Sequence, residues 1–183
     1  MHNLNDTWTL YFHAKNSSKK YNDNTTNLIN ISTIEEFWNT INYMPKIDKI
    51  FSDGKKVKKL KSTNEIPNAL SLFRHNSYPT WEDKTNINGF EWSFRRFKDT
   101  NELDSIWKNL TTFVISENFS NSEFINGVRI VDSTIDNRIM FRFEVWISNK
   151  KYIQFFEDIL RDVFNVKKNV KLLFRDHSTV REN

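Results

Sequence analysis

The chain has 183 residues and a mass of 22.0 kDa, enough for one domain around one sizeable core. It carries no cysteine, which excludes a disulfide framework and Cys-based zinc or redox chemistry. With 27 Lys and Arg against 23 Asp and Glu the net charge is +4, a mild basicity that suits an anionic partner and equally an ordinary solvated surface. Sixteen Phe and six Trp point to a core dominated by aromatic side chains. Met1 to Tyr11 lacks the cationic-then-apolar pattern of a secretory leader, and no apolar run approaches the roughly 20 residues of a membrane span. The expectation is a soluble, cytoplasmic, monomeric protein in which residues 1–183 form one domain.

Trp8 to Ala14 alternates as a strand, with Trp8, Leu10 and Phe12 on one face and Thr9, Tyr11 and His13 on the other. Lys15 to Asn24 is polar and reads as a loop, and Thr25 to Ser32 as a second strand. Ser32-Thr33-Ile34-Glu35 has the spacing of a capping box, so a helix with the stripe Ile34, Phe37, Trp38 and Ile41 follows and ends at Pro45. Lys46 to Asn64 is a basic insertion containing the run Lys55 to Lys61. Pro67 to Phe73 is predicted as a short helix, and His75 to Asn88 as a loop.

Phe90 to Phe97 reads as a strand. A long helix is predicted from about Asn101 to Phe119, with Leu103, Ile106, Trp107, Leu110 and Val114 on its apolar stripe. Strands follow at about Asn126 to Ser133 and Arg138 to Ser148. In the second, Ile139, Phe141, Phe143 and Val145 face one way; Arg138, Met140, Arg142, Glu144 and Trp146 face the other. A helix from about Lys150 to Phe164 is expected to bury Tyr152, Phe155, Phe156, Ile159, Val163 and Phe164, and Val170 to Phe174 is the last strand. Strands in pairs, separated by three amphipathic helices, predict an α+β fold: a twisted antiparallel sheet with helices on one face.

Pro79-Thr80-Trp81-Glu82-Asp83 carries the clearest chemistry. An electron-rich ring attracts a flat cation, and a carboxylate beside it accepts two parallel N–H donors. A guanine methylated at N7 offers both, and single bases are commonly read by stacking plus edge hydrogen bonds. Enzyme chemistry has little support. Gly54, Gly89 and Gly127 form no phosphate loop, and His2, His13, His75 and His177 show no metal-ligand spacing. A decapping hydrolase is therefore disfavoured, and no cofactor is expected. A general RNA-binding module would show a broader basic-aromatic platform.

The segments Trp8 to Phe12, Ile34 to Trp38, Ser71-Leu72-Phe73, Pro79 to Asp83, Trp92, Leu103 to Trp107 and Val145-Trp146 fall in one order. In that order the chain resembles the eukaryotic translation initiation factor 4E family, whose members bind the messenger RNA cap. The resemblance runs from His2 to about His177. It implies a curved sheet with three long helices on the convex face and a slot for 7-methylguanosine on the concave face.

By position in the family, Tyr21 and Trp81 are the rings of an aromatic sandwich, Glu82 reads the guanine edge, and Trp146 packs on the N7-methyl. The first ring is usually Trp; Tyr21 offers less area and is expected to lose about 0.5–1 kcal/mol. The phosphate side departs further. Arg142 matches one expected base, but the positions of two others hold Ser133 and Glu91, leaving Arg138, Arg181 or Lys55 to Lys61 to compensate. His2, Leu4, Ile34 and Trp38 match the surface that receives a partner's amphipathic helix, with Asn3 in place of the usual proline. The implied partners are capped messenger RNA and a scaffold or repressor protein. The implied function is recruitment of that scaffold for translation initiation. The alternative is a repressor that holds the cap without recruiting the scaffold; Tyr21, Lys108, Asn109 and Thr112 lean that way, while Trp8, His2 and Trp38 lean against it.

Overall fold

The computed structural model describes residues 1–15, 24–51, 65–97, 100–134, 138–163 and 171–180. Its strands are β1 (Asn3–Lys15), β2 (Thr25–Thr33), β3 (Ile66–Arg74), β4 (Phe90–Phe97), β5 (Ile125–Asp132), β6 (Met140–Ile147) and β7 (Leu173–Asp176). They form one sheet in the order β2-β1-β3-β5-β6-β4-β7, antiparallel at every pairing. Register shifts interrupt the β1–β2, β1–β3 and β5–β6 ladders. The helices are α1 (Ile34–Tyr43), α2 (Ile47–Phe51), α3 (Thr100–Ser116) and α4 (Ile153–Val163).

One sheet face packs on the helices. Trp8, Leu10, Leu72, Phe94 and Phe143 from the strands meet Phe37, Phe51, Trp107, Leu110, Phe156 and Leu160 from the helices in a single core. The alternation predicted for β1 and β6 holds: Trp8 and Leu10 join this core, and Tyr11 and Trp146 belong to a separate cluster. Burial of these large rings is the main stabilising term, about 1.5–3 kcal/mol for each fully buried side chain.

Five readings need correction. Pro67 to Phe73 is not a helix but most of β3, an interior strand between β1 and β5. Residues 69 to 74 are buried on both faces, so the run shows no period-2 alternation. Pro67 is tolerated next to the register shift at His13/Ala14. The α1 cap is Thr33 with Glu36, one residue on from the expected pair. Thr33 Oγ1 accepts from Glu36 N–H (3.2 Å), and Glu36 Oε2 accepts from Thr33 N–H (3.1 Å) and Ser32 N–H (2.8 Å). Pro45 does follow the helix end, where Met44 N–H closes on Thr40 O.

The segment read as an insertion from Lys46 begins with α2, whose Ile47 and Phe51 are each 1% exposed. Asp104 Oδ1 accepts from Ile47 N–H (2.7 Å) and ties that helix to α3. Lys55 to Lys61 lie outside the described residues. In the segment from Lys150, a short 3-10 turn precedes α4, and the fully buried pair is Phe156 and Leu160, spaced i, i+4; Tyr152, Phe155, Ile159 and Val163 are only half-buried. Phe164 lies outside the described residues. The last strand starts three residues later than predicted, because Leu173–Asp176 is the stretch that pairs with Phe90–Ser93.

Candidate nucleic-acid interface

On the face away from the helices, Tyr11, Phe73 and Trp146 form a second buried cluster, against which Tyr78 and Trp81 pack. Phe73 and Trp146 meet edge to face at 5.3 Å. Gly127 is the register partner of both rings, and a Cβ there would overlap the Phe73 ring, so only glycine leaves room for this packing. Trp81 lies half-buried with its ring nearly parallel to Trp146, at 12° and 6.3 Å between centroids. Trp146 is fully buried and forms the floor of this cluster; Trp81 presents its ring from the loop above, and Glu82 beside it is exposed.

Asn86 holds that loop in shape. It is 1% exposed, and its Nδ2 donates to the carbonyls of Tyr78 (2.7 Å) and Thr80 (2.9 Å) on either side of Pro79. Its Oδ1 accepts from Asn126 Nδ2 (2.8 Å), which ties the loop to β5. Its carbonyl accepts from His177 Nδ1 (2.9 Å), so that ring nitrogen carries the proton. Asp83 Oδ1 closes the turn by accepting from Thr85 N–H and Oγ1. The Trp81-Glu82 pair thus rides on a loop fixed at both ends, the preorganisation a recognition site needs. Asn86 escaped the sequence reading because its partners are backbone carbonyls and a distant amide.

Arg142 and Trp146 share a face with Glu144 between them, as the alternation predicted. Glu144 is completely buried. Its Oε1 accepts from Arg142 Nε (2.7 Å) and Nη2 (2.5 Å), and its Oε2 accepts from Trp146 Nε1 (2.9 Å). Arg129, its register partner on β5, places Nη1 3.6 Å from Oε2 and its guanidinium 5.2 Å from the Trp146 ring. Burial raises the Glu144 pKa, but the charges of Arg129 and Arg142 and the two hydrogen bonds outweigh it and hold the carboxyl below its usual range. One carboxylate therefore fixes both the floor indole and the arginine expected to meet phosphate.

Glu91 sits in the next row, opposite Trp146 on β6 and Arg175 on β7. It is 1% exposed, with Arg175 Nη1 3.7 Å from Oε1 and His177 Nε2 3.7 Å from Oε2. The Arg175 guanidinium also lies 5.5 Å over the Trp81 ring. The sequence showed an acid where a base was expected; the fold brings a base from β7 against it. His13, on the same face, bonds Ser71 (2.6 Å) and Thr25 (3.0 Å) and is held neutral, its pKa lowered to about 2 by burial and the Arg129 charge.

Arg138 is exposed just before β6. Tyr21 and Arg181 lie outside the described residues. On the helical face, Leu4, Ile34, Phe37, Trp38 and Ile115 line a cleft of about 240 Å³. Ile34 is 42% exposed and Trp38 half-buried, so the two expected anchors do reach the surface. His2 sits beside them, its N–H and Nδ1 bonded to Glu35 at 2.9 and 2.8 Å, while its carbonyl accepts from Ile34 N–H. This contact draws the Glu35 pKa down to about 2, chiefly through the hydrogen bonds from His2. Lys108 Nζ lies 5.1 Å over the Trp38 ring.

A single curved antiparallel sheet, with helices on one face and the Tyr11, Phe73 and Trp146 cluster on the other, defines an α+β fold. The sequence model of the family described as Eukaryotic initiation factor 4E matches residues 3–183, and the chain belongs to that family. It is 27% identical over 182 residues to Eukaryotic translation initiation factor 4E1 of Drosophila melanogaster, covering 96% of this chain and 62% of that protein. It is 33% identical over 135 residues to Eukaryotic translation initiation factor 4E of Eremothecium gossypii, covering 70% of this chain and 56% of that one. The aligned region thus spans about three fifths of these relatives' length. Among solved structures, Ascaris suum eIF4E-3 with an m7G cap superposes with a TM-score of 0.77 at 20% identity, covering 100% of this chain and 94% of the other. C. elegans eIF4E-3 in complex with the 4E-binding protein Mextli and a cap analog gives 0.76 at 19%, covering 96% and 92%. These likenesses establish the fold.

Proposed function

We propose that this chain is a non-enzymatic, cytoplasmic cap-binding protein that reads the 7-methylguanosine of messenger RNA and recruits a scaffold protein for translation initiation. The observation that carries the reading is Trp81: a half-buried indole on a loop pinned by Asn86, parallel to the floor ring of Trp146, with the exposed Glu82 carboxylate next in the chain. A methylated guanine stacks on Trp81 as a flat cation, and Glu82 accepts its N1–H and N2–H. Tyr21 supplies the opposing ring, and Trp146 supports the stack from below. Arg142, already oriented by Glu144, takes the nearest phosphate, with Arg138 and Arg181 as further bases.

The relatives named above bear the name of an initiation factor, and the matched structures hold cap analogues and 4E-binding proteins, which supports this assignment. On the opposite face the cleft between Leu4, Ile34 and Trp38 suits an amphipathic helix of the scaffold. The test is retention on immobilised methylguanosine triphosphate, with elution by methylated nucleotide. Elution by unmethylated nucleotide at equal concentration would overturn it.

A further inference from the structure

On the slot face, charge continues past the aromatic floor. The sheet register sets three successive rows across β5, β6 and β4. Gly127, Trp146 and Glu91 form the first, Arg129, Glu144 and Ser93 the second, and Val131, Arg142 and Arg95 the third. Arg95 and Arg142 are therefore direct cross-strand partners, on the same face as Trp146 and about 13 Å of strand away from it. Like charges directly opposite one another destabilise a strand pair. Arg142 is compensated by the buried Glu144. Arg95 is exposed, and no ion pair to it is formed among the described residues. Its neighbour Arg96, on the other face, does have an acid, Glu102, at 3.3 Å. Across the third row the guanidiniums of Arg95 and Arg142 meet, and among the described residues only Arg142 has a carboxylate, so an anion laid across that row relieves the repulsion between them.

We propose that Arg95 and Arg142 together bind phosphate groups of the RNA that follow the methylated base, with Arg95 supplying the cation missing at Ser133. Arg142 is the fixed partner, its fork held by Glu144; Arg95 is the solvent-facing one that swings onto the strand. The inference rests on the cap reading above, since that reading places the base over Trp81 and sends its phosphates along this face.

The test compares wild type, Arg95→Gln and Arg95→Lys by titration over a salt series. The ligands are methylguanosine triphosphate, a short capped oligoribonucleotide, and the same oligonucleotide with an uncapped 5′-triphosphate. Neither variant should melt below wild type, because Arg95 is exposed on its strand and Arg95→Gln removes one of two facing like charges. Arg95→Gln is expected to weaken the capped oligonucleotide about three- to ten-fold and to lower the slope of log K against log salt by about one, with Arg95→Lys restoring most of both. An equal loss with methylguanosine triphosphate assigns Arg95 to the bridge phosphates; a loss with the oligonucleotide alone assigns it to the chain phosphates. An unchanged slope in Arg95→Gln, with capped ligand bound normally, overturns the proposal and leaves the cap reading standing. Arg95-dependent binding of the uncapped triphosphate without any preference for the cap supports the anion site and overturns the cap reading instead.

Discussion

Replacing Glu144 tests whether one buried carboxylate assembles the slot. Glu144→Ala removes the acceptor of Trp146 Nε1 and the counter-charge of Arg142 and Arg129, whose side chains are 18% and 6% exposed. Breaking a buried ion pair from one side costs about 3–5 kcal/mol, because the remaining charge stays desolvated. The orphaned indole N–H would add about 1–3 kcal/mol if nothing relaxed. The two losses share a partner and do not simply add. A total of about 3–5 kcal/mol corresponds to a melting temperature lowered by about 6–20 °C in a chain of this size. Replacing Arg142 with Met in the same chain should recover part of this, since one uncompensated charge is then gone. The assay is denaturant unfolding of the four variants of that cycle, read by tryptophan fluorescence. A Glu144→Ala loss below about 1 kcal/mol, or a cycle with no coupling, would refute the reasoning. Because the folded pKa of Glu144 lies below its unfolded value, its contribution is complete above that unfolded value and is lost as pH falls through the folded one.

Three further outcomes follow from the same structure. Glu82→Ala should lose the preference for methylguanosine over methylated adenine nucleotide, and Glu82→Gln should suffer as well, since an amide puts a donor where an acceptor is needed; competition titrations with both nucleotides decide this. Trp38→Ala should abolish binding of a 4E-binding peptide while changing cap affinity by less than about 0.5 kcal/mol, as for distant sites; calorimetry with each ligand separates the two, and global unfolding would show that Trp38 serves only the core. His13 is neutral in the fold, with a pKa near 2, and ordinary when unfolded, so the unfolded state takes up the extra proton as pH falls below about 6.5. Stability should drop toward acid by up to about 1.4 kcal/mol per pH unit over that window, and His13→Gln should flatten the slope in urea melts between neutral pH and pH about 4.

The half-exposed and one-sided elements were legible in the sequence. β1 and β6 alternate cleanly, so their period-2 pattern alone assigns Tyr11, Arg142, Glu144 and Trp146 to one face of their strands. β3 could not be read this way, because burial on both faces erases the alternation that marks a strand, and Pro67 at its start argues locally for a helix turn. β7 was displaced because a four-residue edge strand is placed by its partner β4 rather than by its own composition. Trp81 and Glu82 stood out as adjacent residues of complementary chemistry. Asn86, Arg175 and Arg95 did not. Each acts through a carbonyl, a ring or a cross-strand arginine that only the fold brings near.

The central claim is that Trp81 stacks on a methylated, positively charged base. Fluorescence titration of wild type and Trp81→Ala with methylguanosine triphosphate and with guanosine triphosphate tests it most directly. The account predicts that wild type favours the methylated nucleotide and that Trp81→Ala weakens that nucleotide by about 1–3 kcal/mol, with much of the discrimination lost. Equal affinity of wild type for the two nucleotides, or an unchanged affinity in Trp81→Ala, would contradict it.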